Sequence, residues 1–412
     1  MEFISGLNYA AWFIFVFIAV VWVLVLLQNK AGLSKRIRPG RLVPVSIIIP
    51  AYNEALNIAA CVRSMLSLDY PKRLLDIIVV DDCSTDGTGK IARGFRKQGV
   101  RVLSNHRNRG KAYSLNKGIA ASSHGIVACV DADSVVEPSI LKNLVGYFRD
   151  PKVGSVTPAL KVFQPKGFLQ KVQAAEYLLN VFLRKMLAFM DSIHVTPGVF
   201  SLYRKGIVVE AGGFEEGNLT EDMDIALKVH EAGYRIENNM SAVSYTNCPS
   251  TWKALFKQRV RWYRGAIQNT IKYRHMLFNR EYGNLGIFLL PANFISILAI
   301  IGIFLIMAAN YISMAFQYLW KASLVGWSLE PFIRGMTLTG FVDAALSTPA
   351  LFALFGLALG GYILWKSFGL TGEKLSENRP GYLVYLIFFP VVMMAFWTAA
   401  IVQEVRRAER KW

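Results

Sequence analysis

The sequence predicts an α/β domain with a mostly parallel sheet, placed between apolar helical segments on both sides. Hydrophobic residues make up 53% and charged residues only 18% of the 412 residues, which is more apolar than soluble proteins usually are. The long apolar tracts lie toward the two ends, whereas short β-branched runs alternate with turn residues in between. We therefore expect a membrane protein that carries one soluble domain.

The first element is the apolar run Ala10–Leu27, which as a helix, at about 1.5 Å per residue, is long enough to cross a bilayer. No basic segment precedes it and no small-residue cleavage site follows it. These features favour a retained transmembrane helix within residues 1–30 over a cleaved signal peptide. Basic side chains follow at Lys30, Lys35, Arg36, Arg38 and Arg41. Such charge predicts that the chain emerges on the cytoplasmic side.

Residues 42–250 have the composition of a soluble, cytoplasmic α/β domain. Strands are expected at Val45–Ile49, Ile77–Val80 and Ile126–Val130, and helices at Glu54–Leu66 and Lys111–Ala121. This β-α-β-α order implies parallel strands, and parallel strands carry ligand sites at their carboxyl ends.

The remainder of the chain is predicted to return to the membrane. Residues 251–284 mix cationic and apolar side chains, and we expect Gly265–Tyr282 to be an amphipathic helix on the membrane surface. Residues 285–404 contain three apolar spans, and residues 405–412 form a basic tail. The spans are Ile287–Ala309, Gly340–Trp365 and Leu383–Val402. Tyr311–Leu329, with Lys321 at its centre, is either a fourth crossing or a segment that lies flat.

The formal net charge of +18 is consistent with nucleic acid, anionic lipid or the cytoplasmic flanks of membrane helices as a partner. The cationic residues concentrate beside apolar tracts, at Lys30–Arg41, Lys253–Arg280 and Arg406–Lys411. This distribution predicts contact with a lipid bilayer and no nucleic-acid binding. The four cysteines lie far apart without metal-ligand spacing, which indicates free thiols in a reducing compartment: Cys61, Cys83, Cys129 and Cys248.

Acidic side chains follow the first two strands. The first strand runs into Pro50-Ala51-Tyr52-Asn53-Glu54, and the second into Asp81-Asp82-Cys83-Ser84-Thr85-Asp86-Gly87. Carboxylates at neighbouring strand ends can accept hydrogen bonds from a nucleobase and from ribose hydroxyls. The same residues also suit helix caps and turns, so both readings stay open at this point.

A third acidic motif, Asp131-Ala132-Asp133, comes directly after the apolar strand Ile126–Val130. Two carboxylates at i and i+2 offer hard oxygen ligands that suit Mg²⁺ or Mn²⁺ bound together with a diphosphate. A lone motif of this kind is usually structural. Here it shares a sheet edge with Glu54 and Asp82, and Lys111 supplies a nearby cation. This combination predicts a nucleotide-diphosphate site.

Six motifs in order carry a resemblance to a known family. They are PAYNEA, VVDDCSTDGT, RGKAYSLNKG, DADS, Thr220-Glu221-Asp222 and Gln258-Arg259-Val260-Arg261-Trp262. Over residues 44–265 the chain resembles processive, membrane-embedded inverting glycosyltransferases of family 2, such as the synthases of poly-N-acetylglucosamine, hyaluronan and cellulose. The resemblance implies a GT-A-like nucleotide-sugar-binding domain. The gating loop and the regulatory domain of cellulose synthases have no counterpart here.

The resemblance also implies roles for the matching residues. Asp222, with Glu221 beside it, would be the general base for the acceptor hydroxyl, and Thr220 would suit as the N-cap of its helix. Asp131 and Asp133 would hold the metal ion. The nucleotide would be bound by Ala51, Tyr52, Glu54, Asp81, Asp82, Lys111 and Asp131. Pro197-Gly198 would pass close to the sugar or form a plain turn.

The last motif lies in FKQRVRWYRG, residues 256–265. On a helix Gln258, Arg261 and Trp262 share one face, where they would contact the diphosphate and the acceptor sugar. Arg259 and Arg264 would point elsewhere and, with Lys253 and Lys257, serve as membrane-surface charge. One helix would then join the catalytic pocket to the membrane.

The expected function is transfer of a sugar from a nucleotide diphosphate sugar, such as UDP-GlcNAc or another UDP-hexose, to a growing β-linked polysaccharide. Translocation through the membrane helices would accompany polymer growth, in a multi-pass protein of the cell membrane. The alternative acceptor is a polyprenyl phosphate or another lipid, used once. A third interpretation is an inactive nucleotide-sugar-binding partner, which the presence of Asp131, Asp133, Asp222 and Trp262 disfavours.

Overall fold

The computed structural model describes residues 2–33, 42–324, 348–373 and 378–406, with a few isolated positions between 326 and 376. The strands are β1 Val45–Ala51, β2 Leu75–Asp81, β3 Val100–Ser104, β4 Ile126–Val130, β5 Val135–Val136, β6 Val153–Val162, β7 Val199–Arg204 and β8 Arg235–Thr246. The helices of the central domain are α2 Ile58–Leu66, α3 Thr88–Arg93, α4 Lys111–Ala121, α5 Ile140–Val145, α6 Phe168–Phe189, α7 Lys205–Glu210, α8 Glu221–Glu231 and α9 Trp252–Lys272.

The eight described strands form one sheet in the order β3-β2-β1-β4-β7-β6-β8-β5. Strands β1 to β4 pair in parallel, and β6 pairs with β8 in parallel. Strand β7 runs antiparallel to both β4 and β6, and β5 runs antiparallel to β8. The sheet is therefore mixed, and the parallel arrangement expected from the sequence is limited to β1–β4 and the β6–β8 pair.

The apolar runs explain why β1, β2 and β4 lie at the centre of the domain. Every residue of Val45–Ala51 and Ile126–Val130 is buried, because helices cover both faces of the sheet. The first helix begins at Ile58 rather than at Glu54. Residues 54–57 form a turn instead, in which the amide N–H groups of Asn57 and Ile58 both donate to the Glu54 carbonyl oxygen at 2.9 Å.

The segment predicted as a surface helix over Gly265–Tyr282 differs from that prediction. Helix α9 ends at Lys272, and two short 3₁₀ turns follow. Tyr273 and Met276 are buried against Met223 and Leu227 of α8. The helix ends there because these side chains pack on α8 of the central domain instead of continuing along a flat amphipathic face.

The terminal helices are α1 Glu2–Gln28, α10 Leu290–Leu324, α11 Thr348–Thr371, α12 Arg379–Ile387 and α13 Phe389–Val405. The predicted spans Ile287–Ala309 and Tyr311–Leu329 are not separate, because α10 runs without a break through both as far as Leu324. The third span, Leu383–Val402, is bent by 53° at the junction of α12 and α13.

Within the described ranges no single helix passes a length-and-hydropathy test for a membrane crossing, and the bent pair α12–α13 passes it only when the two helices are taken together. Several predicted features fall largely outside the described residues: the basic cluster after α1, the first part of the span Gly340–Trp365, and the basic tail beyond Arg406.

Candidate active site

The loops after β1 and β2 are fastened to each other at the carboxyl edge of the sheet. The Asn53 backbone N–H donates to the Ser84 hydroxyl at 3.1 Å, and the Thr85 N–H donates to the Asn53 side-chain carbonyl at 2.9 Å. The Glu54 N–H donates to the Thr88 hydroxyl at 2.8 Å. The two acidic motifs therefore form one wall, as expected for strands that end at the same edge.

The predicted nucleotide-binding residues of this wall are placed differently from one another. Tyr52 is 46% exposed, whereas Ala51 and Asp81 are buried. Asp82 is buried and accepts hydrogen bonds from the Asn105 side-chain amide and from the Gly110 backbone N–H, both at 2.7 Å. The Asp82 carboxylate thus fastens the start of α4, which matches the structural alternative left open by the sequence.

Lys111, the first residue of α4, joins two motifs that are far apart in the chain. Its Nζ lies 2.5 Å from Asp131 Oδ1 and 2.8 Å from Glu221 Oε1. The Lys111 and Asp131 side chains are each 29% exposed, and the Glu221 side chain 7%. The two carboxylates raise the pKa of Lys111 well above its usual value despite the opposing effect of burial. A charged ammonium therefore stands between the nucleotide edge and the proposed base.

Asp133 lies beside Asp131, and among the described residues no Lys, Arg or His forms an ion pair with it. Burial, reinforced by the negative charges of Asp131 and Glu54, raises the pKa of Asp133 to about 7. Its nearest side-chain donors, the hydroxyls of Ser134 and Thr246, are both 3.5 Å away. No group of three or more His, Cys, Asp or Glu within the described residues has the arrangement of a complete metal site. Asp131 and Asp133 can supply two carboxylate ligands to a metal ion, and the remaining ligands would have to be other oxygen atoms.

The segment before β7 passes directly over this cluster. The Gly198 carbonyl accepts from the Asp131 N–H at 2.7 Å. A Cβ atom at Gly198 would lie 2.6 Å from Asp131 Oδ1 and 2.7 Å from Lys111 Nζ, so a larger residue there would displace the two side chains of this ion pair. Two residues earlier, Thr196 donates from its N–H and its hydroxyl to the Asp222 carbonyl, at 3.1 and 2.9 Å. This segment is more than a plain turn, because it links the predicted metal pair to the predicted base.

Asp222 stands in the first turn of α8, where the positive end of the helix dipole favours a carboxylate. Its Oδ1 accepts from the Met223 N–H at 2.9 Å. Burial, and then the neighbouring Glu221, raise the pKa of Asp222 to about 6, with Lys111 acting in the opposite direction. A carboxyl group with this pKa is a stronger base than an exposed aspartate and remains ionised at neutral pH.

Thr220 occupies the N-cap position of α8 as expected, but its side chain does not cap the helix. The Asn269 side-chain amide of α9 donates to the Thr220 hydroxyl at 3.0 Å and to its carbonyl at 3.2 Å. A Cβ atom at Gly265 would overlap the Thr220 side chain. Helix α9 therefore packs against the start of α8 through a glycine and a buried asparagine, neither of which was recognised in the sequence.

Helix α9 carries the three residues that were predicted to face the diphosphate and the acceptor sugar. Gln258, Arg261 and Trp262 are all half-buried. Gln258 Oε1 is buried and has no hydrogen-bond partner among the described residues. Such an atom is costly to leave unpaired and is suited to a donor from a bound ligand.

Arg259 and Arg264 were predicted as membrane-surface charge, and this prediction is wrong. Arg259 is only 1% exposed, and its Nη2 lies 2.7 Å from Glu176 Oε2 of α6. Arg264 is also buried, and its Nε lies 3.0 Å from Glu404 Oε2 of α13. Both arginines are buried because α13 packs on α9 and because side chains of α6 and α9 share one apolar cluster, which brings carboxylates to both arginines.

Arg184 of α6 is a further cation that sequence reasoning missed. Within the described part of the chain its half-buried side chain makes no hydrogen bond or ion pair. Burial lowers the pKa of Arg184 to about 10, and the negative charge of Asp222 partly offsets this effect. The sequence feature that could have indicated this residue is a single arginine within the long, apolar-rich helix α6.

Residues 46–211 match the family described as glycosyl transferase family 2. The mixed sheet, the acidic strand ends and the Asp131–Lys111–Glu221 cluster all lie in or beside this stretch. Over this stretch the chain matches a glycosyl transferase family 2 domain, and the resemblance to that family inferred from the motifs is confirmed to that extent.

Among curated proteins, the chain is similar to poly-beta-1,6-N-acetyl-D-glucosamine synthases. It is 30% identical to that of Staphylococcus aureus (strain COL) over 261 residues, which covers 61% of this chain and 63% of the relative. The identity to that of Staphylococcus epidermidis is 32% over 224 residues, covering 54% of each. The match thus spans less than two thirds of the length of these relatives.

Among solved structures, the chain resembles a mannosyltransferase from Pyrobaculum calidifontis in complex with GDP-Man and Mn²⁺. The TM-score is 0.61 at 22% sequence identity, and the match covers 98% of both chains. At this identity the similarity establishes the fold, which is the GT-A-like arrangement expected from the motifs.

Proposed function

We propose that this protein is an inverting glycosyltransferase that transfers a sugar from UDP-GlcNAc, or another UDP-hexose, to a growing β-linked polysaccharide. One observation carries the proposal: Lys111 connects Asp131 at the nucleotide edge with Glu221, the neighbour of a carboxyl group whose pKa burial raises to about 6. The similarity to bacterial poly-beta-1,6-N-acetyl-D-glucosamine synthases supports the choice of sugar and product.

In the proposed reaction Asp222 accepts the proton of the acceptor hydroxyl. The acceptor oxygen forms a bond to the anomeric carbon as the bond from that carbon to the diphosphate breaks, and the nucleoside diphosphate leaves with the electron pair. Attack from the side opposite the leaving group inverts the configuration and needs no covalent enzyme intermediate. Thr196 and the start of α8 hold the Asp222 backbone in place for this step.

Mg²⁺ or Mn²⁺ fits beside the nucleotide edge. Asp131 and Asp133 would hold it, because Asp133 is a half-buried carboxyl group whose pKa is raised by burial and then by the negative charges of Asp131 and Glu54, all of which a cation would offset. When bound, such an ion neutralises charge on the leaving diphosphate. The solved neighbour in complex with Mn²⁺ supports this assignment. Lys111 supplies a second positive charge beside the same carboxylate.

We assign Glu221 a positioning role rather than that of the base. Its carboxylate is committed to Lys111 at 2.8 Å and is almost fully buried. On the acceptor side, Gln258 offers an unpaired oxygen to a sugar hydroxyl, Trp262 an aromatic surface to a pyranose ring, and Arg261 a planar donor to the diphosphate. The nucleoside would lie against the wall formed by Ala51, Tyr52, Glu54, Asp81 and Asp82.

Polymer growth would be accompanied by passage across the cell membrane, with the catalytic domain on the cytoplasmic side. The bent helix pair α12–α13 packs on α6 and α9 and so stands next to the acceptor side of the site. A product leaving Trp262 would meet these apolar helices first.

Replacing Asp222 by Asn tests the proposal. We expect transfer from radiolabelled UDP-GlcNAc to fall by about three orders of magnitude, because the amide cannot take the proton. UDP affinity, measured by calorimetry, should stay within a few-fold of wild type, since Asp222 is not part of the nucleotide wall. Retained turnover in this variant would remove Asp222 from the role of base.

Arg184 favours an anionic acceptor as the second candidate. This cation lies within electrostatic reach of Asp222 and has no partner in the described ranges. An anionic acceptor such as a polyprenyl phosphate would provide one. Incubating the purified protein with labelled sugar nucleotide and polyprenyl phosphate separates the two functions. Label found solely in organic-extractable monosaccharide-lipid would establish the lipid acceptor, whereas label in a high-molecular-weight, glycosidase-sensitive product would establish the polysaccharide.

A further inference from the structure

The buried ion pair between Glu176 of α6 and Arg259 of α9 lies next to Trp262, the proposed contact of the acceptor sugar. Arg259 and Glu176 are 1% and 6% exposed, and one hydrogen bond of 2.7 Å joins them. The Arg259 guanidinium carbon also lies 4.2 Å from the centre of the Trp262 ring. Arg259 and Trp262 are three residues apart on one helix, so the stacking follows from helical geometry.

The pair is costly to bury and is incompletely satisfied. Arg259 Nε and Nη1 are buried without a hydrogen-bond partner among the described residues. Replacing such a pair with apolar side chains of similar volume is often neutral or stabilising in other proteins. Stability alone therefore gives a weak reason for placing two charges here, and the stacking on Trp262 is the other consequence of this arrangement.

We propose that the Glu176–Arg259 pair is a positioning device that fixes the ring plane of Trp262 for binding of the acceptor sugar. The inference rests on the proposed function, because it requires Trp262 to contact a saccharide. Glu176 holds the guanidinium from α6, and the guanidinium occupies one side of the indole. Specificity for a pyranose acceptor then depends on two residues that do not touch it.

Arginine is needed at position 259 for a geometric reason. Its planar guanidinium can lie on an aromatic ring and bond a carboxylate at the same time, whereas the ammonium of lysine is a point charge on a flexible stem. Arg259→Lys keeps the charge that Glu176 requires but loses the flat stack. Tyr263 and Tyr385 also lie within electrostatic reach of Arg259, but neither provides a second anion.

The test measures saccharide binding without turnover. The full-length protein in nanodiscs, saturated with UDP, is titrated with a β-1,6-linked N-acetylglucosamine pentasaccharide by calorimetry. We expect Arg259→Lys to weaken pentasaccharide binding by about 5- to 10-fold, the range of one cation–π contact, and UDP binding by less than about 2-fold. Lys257→Ala, which removes an exposed cation from the same helix, should leave both affinities unchanged.

Two further variants separate positioning from stability. The double variant Glu176→Leu with Arg259→Met should unfold at or above the wild-type temperature, yet should show the same loss of pentasaccharide affinity. In a Trp262→Ala background, Arg259→Lys should have no additional effect, because the ring that it positions is gone.

The possible results distinguish the two proposals. If wild-type protein binds the pentasaccharide and the double variant binds it equally well, the pair is only structural and the inference is wrong. If wild-type protein binds UDP but no pentasaccharide, the polysaccharide acceptor itself is wrong, and the inference falls with it.

Discussion

Two charge clusters flank the candidate active site, and they differ in how many partners the cation has and how exposed it is. In the first, Lys111 serves two carboxylates, Asp131 and Glu221, and its side chain remains 29% exposed. In the second, Arg259 serves the single carboxylate of Glu176 and is 1% exposed. A cation with two partners and access to solvent can exchange one of them for an incoming ligand. A one-to-one pair sealed between helices cannot do so without leaving an unpaired buried charge.

The two clusters therefore suit different steps of the proposed reaction. In the proposed reaction the nucleotide side has to admit and release a charged diphosphate in every cycle, and a cation that is shared and accessible to solvent suits that exchange. In the same proposal the acceptor side has to present the same surface to successive sugars. The buried pairing of Arg259 with Glu176 alone suits such a fixed surface. If this contrast is real, substitutions in the two clusters should have different effects on transfer and on stability.

The largest effect is expected from Lys111→Met. Loss of the cation leaves Asp131 and Glu221 without their shared partner, and we expect transfer to fall by about 10²- to 10³-fold, as when one charge-stabilising donor is removed from an active site. Raising the Mn²⁺ concentration should recover part of the UDP affinity, because the freed Asp131 carboxylate can still bind the ion. Radiometric transfer and calorimetry provide the measurements. An equal loss in Lys97→Met, which changes an exposed lysine, would contradict the assignment.

Changes to the buried Glu176–Arg259 pair should affect folding stability instead. Glu176→Leu leaves the Arg259 guanidinium buried with no carboxylate, and we expect the free energy of unfolding to fall by about 3–5 kcal/mol. The matched control is Glu216→Leu, which breaks an exposed pair with Arg109 of 3.2 Å. That change should cost about 0–1 kcal/mol. Denaturant unfolding of the two variants checks the contrast, and similar losses would show that burial does not distinguish the pairs.

A smaller effect is expected where α9 meets α8. In Gly265→Ala the new methyl group overlaps the Thr220 side chain. We expect a loss of about 1–3 kcal/mol in stability, together with slower transfer, because the helix that carries Asp222 is displaced. Gly361→Ala adds the same methyl group where no atom lies within 4 Å, and it should be neutral or slightly stabilising. Thermal unfolding and initial rates of both variants test this prediction.

The smallest effect is a shift in the pH profile. In the proposed mechanism the deprotonated form of Asp222 is the base, so its raised pKa of about 6 predicts that transfer at saturating donor falls about tenfold per pH unit below that value. Glu221→Gln removes a negative neighbour that raises this pKa, so the acidic limb should move to lower pH. An unchanged limb would mean that another group controls it. Glu404→Gln, which alters a carboxylate on α13 facing Arg264, provides the control.

The nucleotide half of the site was predictable because it depends on local order. Strand β4 was expected at Ile126–Val130 and is observed there, and helix α4 was expected and is observed at Lys111–Ala121. Carboxylates placed after buried parallel strands must gather at one edge, whatever the details of the loops. The antiparallel position of β7 between β4 and β6 was not predictable, since it depends on a long-range pairing without a local signature.

The acceptor half shows where sequence reasoning stopped. Cationic residues next to an apolar tract form the same pattern whether they face lipid headgroups or meet a carboxylate on a packed helix. The predicted surface charge of Arg259 and Arg264 was wrong because α6 and α13 bring Glu176 and Glu404 to them. The signal that existed was a single glutamate within the apolar face of α6, which is too common to identify its partner.

Local sequence patterns predict the strands β1, β2 and β4, the acidic residues that follow them and the shared helical face of Gln258, Arg261 and Trp262, because periods of two and 3.6 residues are local properties. Strand β3, Val100–Ser104, was not among the predicted strands. Which charges neutralise one another depends on the packing of segments that are distant in sequence. Lys111 joins Asp131 to Glu221, and Arg259 joins Glu176, across distances in sequence that no periodicity spans. The partner of a charge is set by which elements pack together, and that packing is a property of the whole chain.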